Sequence, residues 1–461
     1  MKGLATDLAL LVSGVRVRAD TEDLFSYSSD ATRYFVSHMP DAVVLPDTTE
    51  QVSKVVRYAF DHDIPLTPRG AGSGLSAGCT PIRGGIVLDM KRMRRIVDIN
   101  RGNMTATVEA GVVLSAFHRA VEKQRLFYPP DPQSMDVCTI GGNVATQAGG
   151  PHGVKYGTTK NYVLGLEVVL PDGEVINTGG VCVKQSTGYD LTHLLTGSEG
   201  TLGVITRANL RLLPLPPSHR TVVVICKTVD QAAEMVSEII AAGTVPARLE
   251  YLPQGAIALM NQFISPPLTM DGQACLLMDI DGSKTQIEED SSEIRALSNS
   301  MGAMDVRVIE DEKEAETYWK ARRNLHSSIL AVFRRAIVED VTVPRNRIPE
   351  FVRAVQDISA SLGTFIGMGG HAGDGNVHPN IILDEITEET EKKAQVAVER
   401  IIRAGLELGG TISGEHGIGL HKARFLAWEL GEAQIELLKR VKAAFDPKGI
   451  MNPGKIWEHG G

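Results

Sequence analysis

The spacing of hydrophobic residues predicts alternating strands and helices in the first half of the chain. Residues 42–46 are apolar and predict a short strand. Thr48 and Gln51 have the spacing of a capping box, and the helix that follows places apolar residues on one face: Val52, Val55, Val56, Ala59 and Phe60. Residues 106–111 predict another strand, and residues 163–176 predict a hairpin with an Asp-Gly turn. The proline-rich segment 213–217 is the best candidate for a linker.

The second half contains two successive strand–helix–strand patterns. The first covers residues 219–226, 229–242 and 246–252, and the second covers residues 274–280, 286–301 and 304–309. This approximate repeat predicts a ferredoxin-like sheet. Further along, the pattern predicts an amphipathic helix, two buried strands and a helix that ends at two glycines, at residues 319–333, 336–344, 364–368 and 388–408.

Length, charge and cysteine content restrict the class of protein. A chain of 461 residues exceeds what one hydrophobic core usually serves, so two or three domains are expected. The net charge of -9 argues against sequence-independent nucleic-acid binding and against an anionic membrane surface. Five scattered cysteines without C-x-x-C spacing argue against zinc ribbons, iron–sulfur ligation and a disulfide framework.

Targeting signals are not evident in the sequence. No segment approaches the roughly 20 apolar residues of a membrane span, and the apolar run at residues 8–12 is too short for the core of a signal peptide. We therefore expect a cytoplasmic protein, with peripheral attachment to the inner face of the membrane through a partner as a further option.

Residues 69–78 form a loop in which glycine alternates with other residues. So many glycines allow several backbone N–H groups to converge on an anion such as a pyrophosphate. The spacing Gly72-x-Gly74-x-x-Ala77 also fits the dinucleotide fingerprint. However, residues 77–85 contain three glycines and a proline where a Rossmann fold needs a helix. We expect a phosphate-binding loop of another fold, with a plain glycine-rich turn as the alternative.

Two histidines bracket a turn within residues 370–380. Its Gly, Asp and Asn residues disfavour a helix and place His371 and His378 where strands meet a loop. Glu415 and His416 lie in a second glycine-rich segment. Two imidazoles and a carboxylate form an open three-ligand site that suits zinc or manganese. The alternative is that the histidines only cap strand ends and that the Asp and Asn residues only form the turn.

Four segments of the first half together resemble the FAD domain of the vanillyl-alcohol oxidase and p-cresol methylhydroxylase (PCMH) superfamily: residues 68–78, 130–132, 140–150 and 197–205. The resemblance implies an α+β fold, in which a PCMH-type two-subdomain FAD-binding domain precedes a ferredoxin-like antiparallel-sheet cap domain. It implies FAD contacts at Arg69, Gly70, Ala71, Gly72, Ser73, Gly74, Leu75, Pro130, Asp131, Thr139, Gly141, Gly142, Asn143, Ala145, Gly149, Gly150, Gly153, Tyr156, Gly157, Glu199, Gly200, Gly203, Val204, Ile205 and Asn452. Residues 69–78 contain no flavin-linking histidine, so non-covalent FAD is expected.

The C-terminal pattern resembles the FAD-linked D-2-hydroxyacid dehydrogenase family, and the resemblance covers nearly the whole chain. It implies the metal ligands His371, His378 and Glu415, the general base His416, the carboxylate-binding Arg322 and the substrate contact Asn380. For Arg322 the alternative is a solvated helix residue. Glu415 and His416 would point to opposite sides if their segment is extended. Val338 stands where the hydroxyglutarate enzymes of the family carry a lysine, so a second substrate carboxylate is not expected.

The implied activity is oxidation of D-lactate or glycolate to the 2-oxo acid by hydride transfer to flavin N5. The expected domains are a FAD domain at residues 1–215, a cap domain with the metal site at 216–441, and a tail at 442–461 that returns to the FAD domain. Electrons are expected to pass to an iron–sulfur subunit, an electron-transferring flavoprotein or a quinone-linked carrier, and a homo-oligomer is a further option. The alternatives are a D-2-hydroxyglutarate dehydrogenase and, in different classes, a metal-dependent hydrolase or a non-catalytic flavin-binding module.

Overall fold

A computed structural model describes residues 2–32, 37–262, 264, 267 and 272–457 of the chain. These residues form two units. The first unit contains Met1–Ala148, Thr158–Leu215 and Glu415–Gly461, and the second contains Gly149–Gly157 and Pro216–Gly414. The change of unit after residue 215 coincides with the predicted linker. The return to the first unit begins at Glu415, earlier than the expected residue 442, and residues 458–461 of the expected tail lie outside the described residues.

The α-helices and 3₁₀ turns are distributed over the whole chain. In chain order the α-helices are α1 (Lys2–Leu11), α2 (Thr21–Phe25), α3 (Thr49–Asp61), α4 (Leu114–Glu122), α5 (Ile140–Thr146), α6 (Gly153–Tyr156), α7 (Leu191–Leu195), α8 (Val229–Ala241), α9 (Gln254–Met260), α10 (Lys284–Ser300), α11 (Glu312–Arg323), α12 (Leu325–Val332), α13 (Ile348–Leu362), α14 (Glu388–Glu407), α15 (Leu426–Leu430) and α16 (Glu432–Phe445). Short 3₁₀ turns occur at Met90–Arg92, Thr159–Tyr162, Arg345–Arg347 and Ala423–Phe425.

The strands are mostly short, and many contain only two to five residues. In chain order they are β1 (Arg16–Arg18), β2 (Ala42–Leu45), β3 (Leu66–Arg69), β4 (Ile86–Asp89), β5 (Ile96–Asn100), β6 (Thr105–Glu109), β7 (Leu126–Phe127), β8 (Val163–Val169), β9 (Val175–Gly179), β10 (Val204–Arg211), β11 (Leu213–Pro214), β12 (Ser218–Cys226), β13 (Arg248–Pro253), β14 (Ala274–Gly282), β15 (Asp305–Ile309), β16 (Arg335–Val338), β17 (Val341–Thr342), β18 (Ile366–Gly367), β19 (Gly370–His371), β20 (Asn376–Val377) and β21 (Asn380–Leu383).

The first unit contains one mostly parallel sheet and one antiparallel sheet. The mostly parallel sheet has the order β1-β2-β4-β3, in which only β1 is antiparallel to its neighbour. The antiparallel sheet has the order β5-β6-β10-β8-β9. Near the C-terminus, Met451 forms a parallel bridge with Leu66 at the start of β3. The last part of the chain therefore joins the sheet from which the glycine-rich loop leaves.

Helix α3 forms where the hydrophobic pattern predicts it. Its buried face packs with Val44, Ile86 and Leu88 of the parallel sheet in one hydrophobic core, and each fully buried valine or leucine side chain stabilises the fold by about 1.5–3 kcal/mol. The Thr48 side chain accepts the Gln51 N–H at 3.2 Å. The Gln51 side chain accepts the N–H of Asp47 and not that of Thr48, so the predicted capping box is only half formed.

The second unit is built on the antiparallel sheet that the repeat predicts. The four strands of the two repeats lie in the order β15-β12-β14-β13, and each neighbouring pair is antiparallel. Helices α8 and α10 connect the strands of each repeat and pack against the sheet. Counted along the chain, the strand order is fourth, first, third, second, which is a ferredoxin-like arrangement.

The same sheet continues beyond β13 into the segment that carries the two histidines. The order is β13-β19-β20-β17, so the hairpin of β19 and β20 lies between two other strands. Gly370 pairs with β13, and Asn376 pairs with Thr342 of β17. Thr342 also bridges Thr411 in an antiparallel manner. Backbone pairing on both sides therefore fixes the hairpin.

Three elements of the second unit differ from the expected ones. The helix expected at 319–333 is two helices, α11 and α12, and Asn324 is the C-cap of the first and the N-cap of the second. The strand expected at 336–344 is divided into β16 and β17, which belong to different sheets. The strand expected at 364–368 is only Ile366–Gly367, and Phe365 is 62% exposed, because β18 is an edge strand of the small sheet β16-β21-β18.

No helix in the described part of the chain combines the length and the apolar composition needed to cross a membrane.

Candidate functional site

The turn between His371 and His378 is held by local hydrogen bonds and by glycines that approach other backbone. The N–H groups of Asp374 and Gly375 donate to the carbonyls of His371 and Ala372, each at 3.3 Å. Gly375 has a φ of +87°, and a Cβ there would lie 2.1 Å from the Val343 carbonyl oxygen. Only glycine fits such a position. The glycine and the local hydrogen bonds therefore allow the chain to turn between the two histidines.

His371 is oriented by a buried carboxylate of β13. Its Nδ1 lies 2.5 Å from Oε1 of Glu250, and the other carboxylate oxygen, Oε2, accepts from Nε of Arg322 at 2.7 Å. Nη2 of Arg322 also lies 2.5 Å from Oε2. Glu250 is fully buried, and His371 and Arg322 are each less than a tenth exposed. The three charged or titratable groups therefore form a chain inside the second unit.

Glu250 is ionised in this environment because its two partners outweigh the cost of burial. Burial alone would raise its pKa, since a low-dielectric interior disfavours the charged carboxylate. Arg322 and His371 act in the opposite direction and hold the pKa of Glu250 below its usual range. A carboxylate at this position accepts hydrogen bonds only, so the proton of the His371 pair is carried by Nδ1.

His378 lies beside His371, with its own backbone partner. The two ring centroids are 5.2 Å apart and the rings are nearly perpendicular. Nδ1 of His378 lies 3.3 Å from the main-chain oxygen of Glu339. Ligand atoms of the two histidines lie within 4.8 Å of each other, as do those of His378 and Asp340. The donor set of two imidazoles and a carboxylate fits a zinc or manganese ion.

The segment that leads to Glu415 runs along the same part of the second unit. Ser413 donates to Oδ2 of Asp340 at 2.9 Å. A Cβ at Gly414 would lie 2.3 Å from Oγ1 of Thr342 and 2.6 Å from the side-chain nitrogen of Asn376. Gly414 therefore packs directly against the strands that flank the histidine hairpin.

Asn380 and Val338 face each other across two paired strands. Asn380 in β21 is the register partner of Val338 in β16. The Asn380 amide nitrogen donates to the carbonyl of His378 at 2.7 Å. Val338 is buried. Val338 thus places an apolar residue beside the expected substrate contact Asn380.

Glu415 and His416 begin the last stretch of the first unit. Residues 414–416 form a bend and not a strand, because the glycines at 414 and 417 allow the chain to turn. The extended segment on which the opposite orientation of Glu415 and His416 was conditional is therefore not formed. Two residues later, the N–H groups of Ile418 and Gly419 donate to the two carboxylate oxygens of Glu199, each at 2.8 Å.

Glu199, one of the expected FAD contacts, uses its carboxylate to hold these two amides. Burial raises its pKa, and the two amide donors oppose that rise. Its backbone is left-handed, with a φ of +52°. The side chain of Asn452 donates to the Glu199 carbonyl at 2.7 Å and to the Gly78 carbonyl at 2.8 Å. Glu199 and Asn452 therefore connect three loops of the first unit.

The glycine-rich loop of the first unit presents a row of backbone donors. It leaves the end of the parallel strand β3 at Arg69. Within the residues that the structure describes, the N–H groups of residues 71–75 donate no hydrogen bond. Five successive donors at a glycine-rich turn suit an anion such as a pyrophosphate. Arg69 itself donates to the Ser29 carbonyl at 2.8 Å and is buried.

The segment 139–145 packs against this loop. Thr139 caps helix α5, and its side chain accepts the Gly142 N–H at 3.3 Å. A Cβ at Gly70 would lie 2.4 Å from Oγ1 of Thr139, so the loop and the start of α5 are in direct contact. A Cβ at Gly141 would lie 2.6 Å from that of Ala110. The glycines bring both backbones together, as a nucleotide cradle requires.

The remaining expected FAD contacts are distributed over both units. The carbonyl of Pro130 accepts from Nε2 of His118 at 3.0 Å, and the Glu199 N–H donates to the Ala145 carbonyl at 2.8 Å. Gly200 follows in the same loop, and a Cβ at Gly203 would lie 2.8 Å from Val168, before Val204 and Ile205 begin β10. Other residues placed in the first unit are Ala71, Ser73, Gly74, Leu75, Asp131 and Asn143.

Residues 149–157 belong to the second unit. A Cβ at Gly153 would lie 2.2 Å from Oδ2 of Asp374 in the histidine turn. The Tyr156 hydroxyl and the Lys155 ammonium both bond to Asp281, at 2.6 and 2.5 Å. The expected FAD contacts Gly149, Gly150, Gly153, Tyr156 and Gly157 are therefore packed with the sheet that carries the histidines.

Comparison with known proteins identifies the family. Residues 40–179 match the FAD binding domain family, and residues 215–456 match the family described as FAD linked oxidases, C-terminal domain. The chain belongs to the FAD-linked oxidases. This FAD-linked oxidase is 43% identical over 431 residues to the glycolate oxidase subunit GlcD of Bacillus subtilis. The matched region covers 94% of this chain and 92% of that relative. It is 35% identical over 450 residues to the D-lactate dehydrogenase of Anaerostipes hadrus, with 96% and 94% covered.

A solved structure confirms the fold expected for this FAD-linked oxidase. The structure of p-cresol methylhydroxylase with substrate bound matches it with a TM-score of 0.81 over 99% of this chain and 96% of that chain. The identity is 18%, so this likeness concerns the fold. Membership of the FAD-linked oxidases accounts for the glycine-rich segments, which the metal-dependent hydrolase alternative leaves without a role.

Two residues at the histidine pair of this FAD-linked oxidase were missed from the sequence. Glu250 and Asp340 lie next to His371 and His378 and were not singled out. Glu250 interrupts the apolar strand Leu-Glu-Tyr-Leu, and a charge in the middle of a buried strand is a signal that it has a partner. The partner itself could not be identified from the sequence, because it is distant along the chain.

Proposed function

We propose that this chain oxidises a D-2-hydroxy acid, D-lactate or glycolate, to the 2-oxo acid. The observation that carries the proposal is the pair His371 and His378, each oriented through Nδ1, in a chain whose first half is an FAD-binding domain. The names of its relatives, glycolate oxidase subunit and D-lactate dehydrogenase, support this substrate class.

Two groups serve the reaction in this proposal. Non-covalently held FAD would lie at the glycine-rich loop 69–75 and at residues 139–145, and it supplies the hydride acceptor N5. A divalent ion, zinc or manganese, would be held by His371, His378 and Glu415, and it supplies a positive charge for the substrate hydroxyl and carboxylate oxygens. The bare donors of the loop and the donor set of the histidine pair fit these two groups.

The remaining chemistry belongs to side chains of this chain. His416 accepts the hydroxyl proton, because imidazole titrates near neutral pH and gains the proton without a large energetic cost. Arg322 offers Nη1 to the substrate carboxylate, since Nε and Nη2 are bonded to Glu250. Asn380 contributes a side-chain contact close to His378.

The substrate is small in this proposal. Val338 is buried and faces Asn380 across the sheet, where a second carboxylate would need a cation. A D-2-hydroxyglutarate dehydrogenase is therefore less well supported than an enzyme for a short monocarboxylic acid.

Electrons would leave the chain to a separate acceptor. Its five cysteines are free and dispersed, so they offer no ligand set for an iron–sulfur cluster. The relative in Bacillus subtilis is named as a subunit. An iron–sulfur subunit, an electron-transferring flavoprotein or a quinone-linked carrier would serve, and attachment of a cytoplasmic chain to the membrane would follow from such a partner.

Anaerobic mixing with a panel of hydroxy acids tests the proposal. D-lactate or glycolate should bleach the flavin absorbance in a single turnover, and L-lactate and D-2-hydroxyglutarate should do so much more slowly. NAD added in place of an electron carrier should not be reduced. An FAD-loaded protein whose flavin is not reduced by any 2-hydroxy acid would contradict the proposal.

A further inference from the structure

The second unit contains a buried chain of charges that the proposed chemistry does not by itself explain. Glu250 lies on β13, Arg322 lies near the end of α11, and His371 lies at the end of β19. Ionisable groups in the interior cost several kcal/mol each unless they are paired and hydrogen-bonded. Glu250 meets this condition, because its carboxylate is hydrogen-bonded to an arginine on one oxygen and to a histidine on the other.

The two oxygens of Glu250 have separate partners. Oε2 accepts from Nε of Arg322 at 2.7 Å and lies 2.5 Å from its Nη2, so the guanidinium holds this one oxygen through two of its nitrogens. Oε1 is directed at Nδ1 of His371 at 2.5 Å. With the proton on Nδ1, the lone pair of the neutral ring is on Nε2, which is the atom that can bind a metal.

The two histidines are not oriented in the same way. Nδ1 of His378 lies 3.3 Å from the main-chain oxygen of Glu339 and 3.8 Å from the carboxylate of Asp340, whereas Nδ1 of His371 lies within hydrogen-bond distance of a carboxylate. A carboxylate partner makes a histidine a more basic ligand than a carbonyl partner does. His371 is thus the histidine whose Nδ1 is hydrogen-bonded directly to a carboxylate, and Glu250 supplies it.

We propose that Glu250 is the positioning residue for the metal ligand His371, and that Arg322 acts on this ligand through Glu250 in addition to any contact with substrate. The proposal rests on the proposed function, because it presumes a divalent ion at the histidine pair. It assigns to Arg322 a role in metal affinity, which a residue that only binds the substrate carboxylate would not have.

A nearby ion pair offers a matched control. Arg248, on the same strand as Glu250, lies 2.9 Å from Oδ2 of Asp279, and Asp279 is also buried. Asp279 bonds to Thr221 and Trp319 and not to either histidine. Asp279→Asn therefore disturbs a buried carboxylate–arginine pair of the same sheet without touching His371.

The experiment measures zinc and manganese affinity of the FAD-loaded full chain by equilibrium dialysis after chelation. Glu250→Gln should weaken metal binding by about 10–100-fold, the usual effect of removing an outer partner of a metal-bound histidine. Arg322→Lys should weaken it by a smaller factor, and the two changes combined should be less than additive in free energy because they act through one carboxylate. Asp279→Asn should bind metal like the wild type.

Each outcome decides the matter. Unchanged metal affinity in Glu250→Gln overturns the positioning role, and unchanged affinity in Arg322→Lys removes Arg322 from it. A wild-type chain that binds neither metal, or that binds equally well with His371→Ala, overturns the metal site of the proposed function itself. If Glu250→Gln does not fold, Glu250→Gln combined with Arg322→Met leaves no unpaired buried charge and provides the same measurement.

Discussion

The histidine hairpin of the second unit and the glycine-rich loop of the first unit both prepare polar atoms for a bound group. In the hairpin the prepared atoms belong to side chains, and buried partners such as Glu250 and the Glu339 carbonyl orient them. In the loop the prepared atoms are backbone N–H groups of residues 71–75, which donate no hydrogen bond to the described part of the chain.

The two regions differ in how far along the chain the residues that orient these polar atoms lie. The loop depends on glycines within the same short segment, so its behaviour is mainly local. The hairpin depends on residues far away in the chain, because a carboxylate on β13 and an arginine on α11 must meet a histidine on β19. Changes in the hairpin should therefore affect metal and turnover, and changes in the loop should affect FAD.

The largest expected effect is the loss of metal in His371→Ala and His378→Ala. Each change removes a proposed ligand. The affinity for zinc or manganese should therefore fall by more than the roughly 100-fold that an outer partner of a ligand contributes, and turnover should fall with it. The FAD spectrum should be unchanged, because the loop 69–75 belongs to the first unit. Metal analysis and absorbance spectra check both expectations.

The control for this experiment is His193→Ala, since His193 is partly exposed on α7 and lies in the first unit. Metal content that stays at the wild-type level in both ligand variants would contradict the assignment of His371 and His378.

A second prediction separates the base from the ligands. His416→Asn should slow flavin reduction by about 10²–10⁴, the usual loss for a general acid–base group, while metal and FAD remain bound. Stopped-flow absorbance with D-lactate or glycolate measures the rate. If this variant instead loses the metal, or reduces its flavin at nearly the original rate, His371 or His378 must be considered as the base.

A third prediction concerns the loop and uses two glycines with similar φ angles. Gly72 and Gly188 have φ values of +70° and +73°. Alanine at either position costs about 1–2 kcal/mol of backbone strain, but a Cβ at Gly72 would also lie 2.2 Å from Nη2 of Arg69, whereas nothing lies within 4 Å at Gly188. Gly72→Ala should therefore weaken FAD binding by about 10-fold.

Gly188→Ala is the matched control and should retain the wild-type FAD affinity in a fluorescence titration. Metal content should be the same in both variants. An equal loss of FAD affinity in the two variants would show that strain alone, and not the loop at residue 72, governs the cofactor.

The smallest expected effect is that of Glu199→Gln in the first unit. The glutamine has only one acceptor oxygen, so the N–H of Ile418 or of Gly419 loses its partner at a cost of about 1–3 kcal/mol. Thermal unfolding of the FAD-loaded protein should show reduced stability, while Glu174→Gln, at an exposed position, should not change it. Unchanged stability in Glu199→Gln would contradict the anchoring role of this carboxylate.

Much of the fold could be predicted because periodicity is a local property. The two strand–helix–strand repeats, helix α3 and the hairpin of β8 and β9 all lie where the pattern places them. The hydrophobic pattern failed at residues 364–368, which it predicted to be a buried strand. Phe365 is exposed there, next to β18, which lies at the edge of its sheet. The sequence also did not reveal that residues 414–416 form a bend, in a segment that contains Gly414 and Gly417.

The sequence by itself determined the chemical inventory of this FAD-linked oxidase: the glycine-rich loop, the histidine turn and the absence of a flavin-linking histidine near the loop. These features depend on residue type and on spacing within a few residues. Only the tertiary structure decided how His371 is oriented, because Glu250 is 121 residues away from it and Arg322 is 72 residues away from Glu250. Side-chain partners that distant are selected by strand register and burial, and neither is encoded in a local pattern.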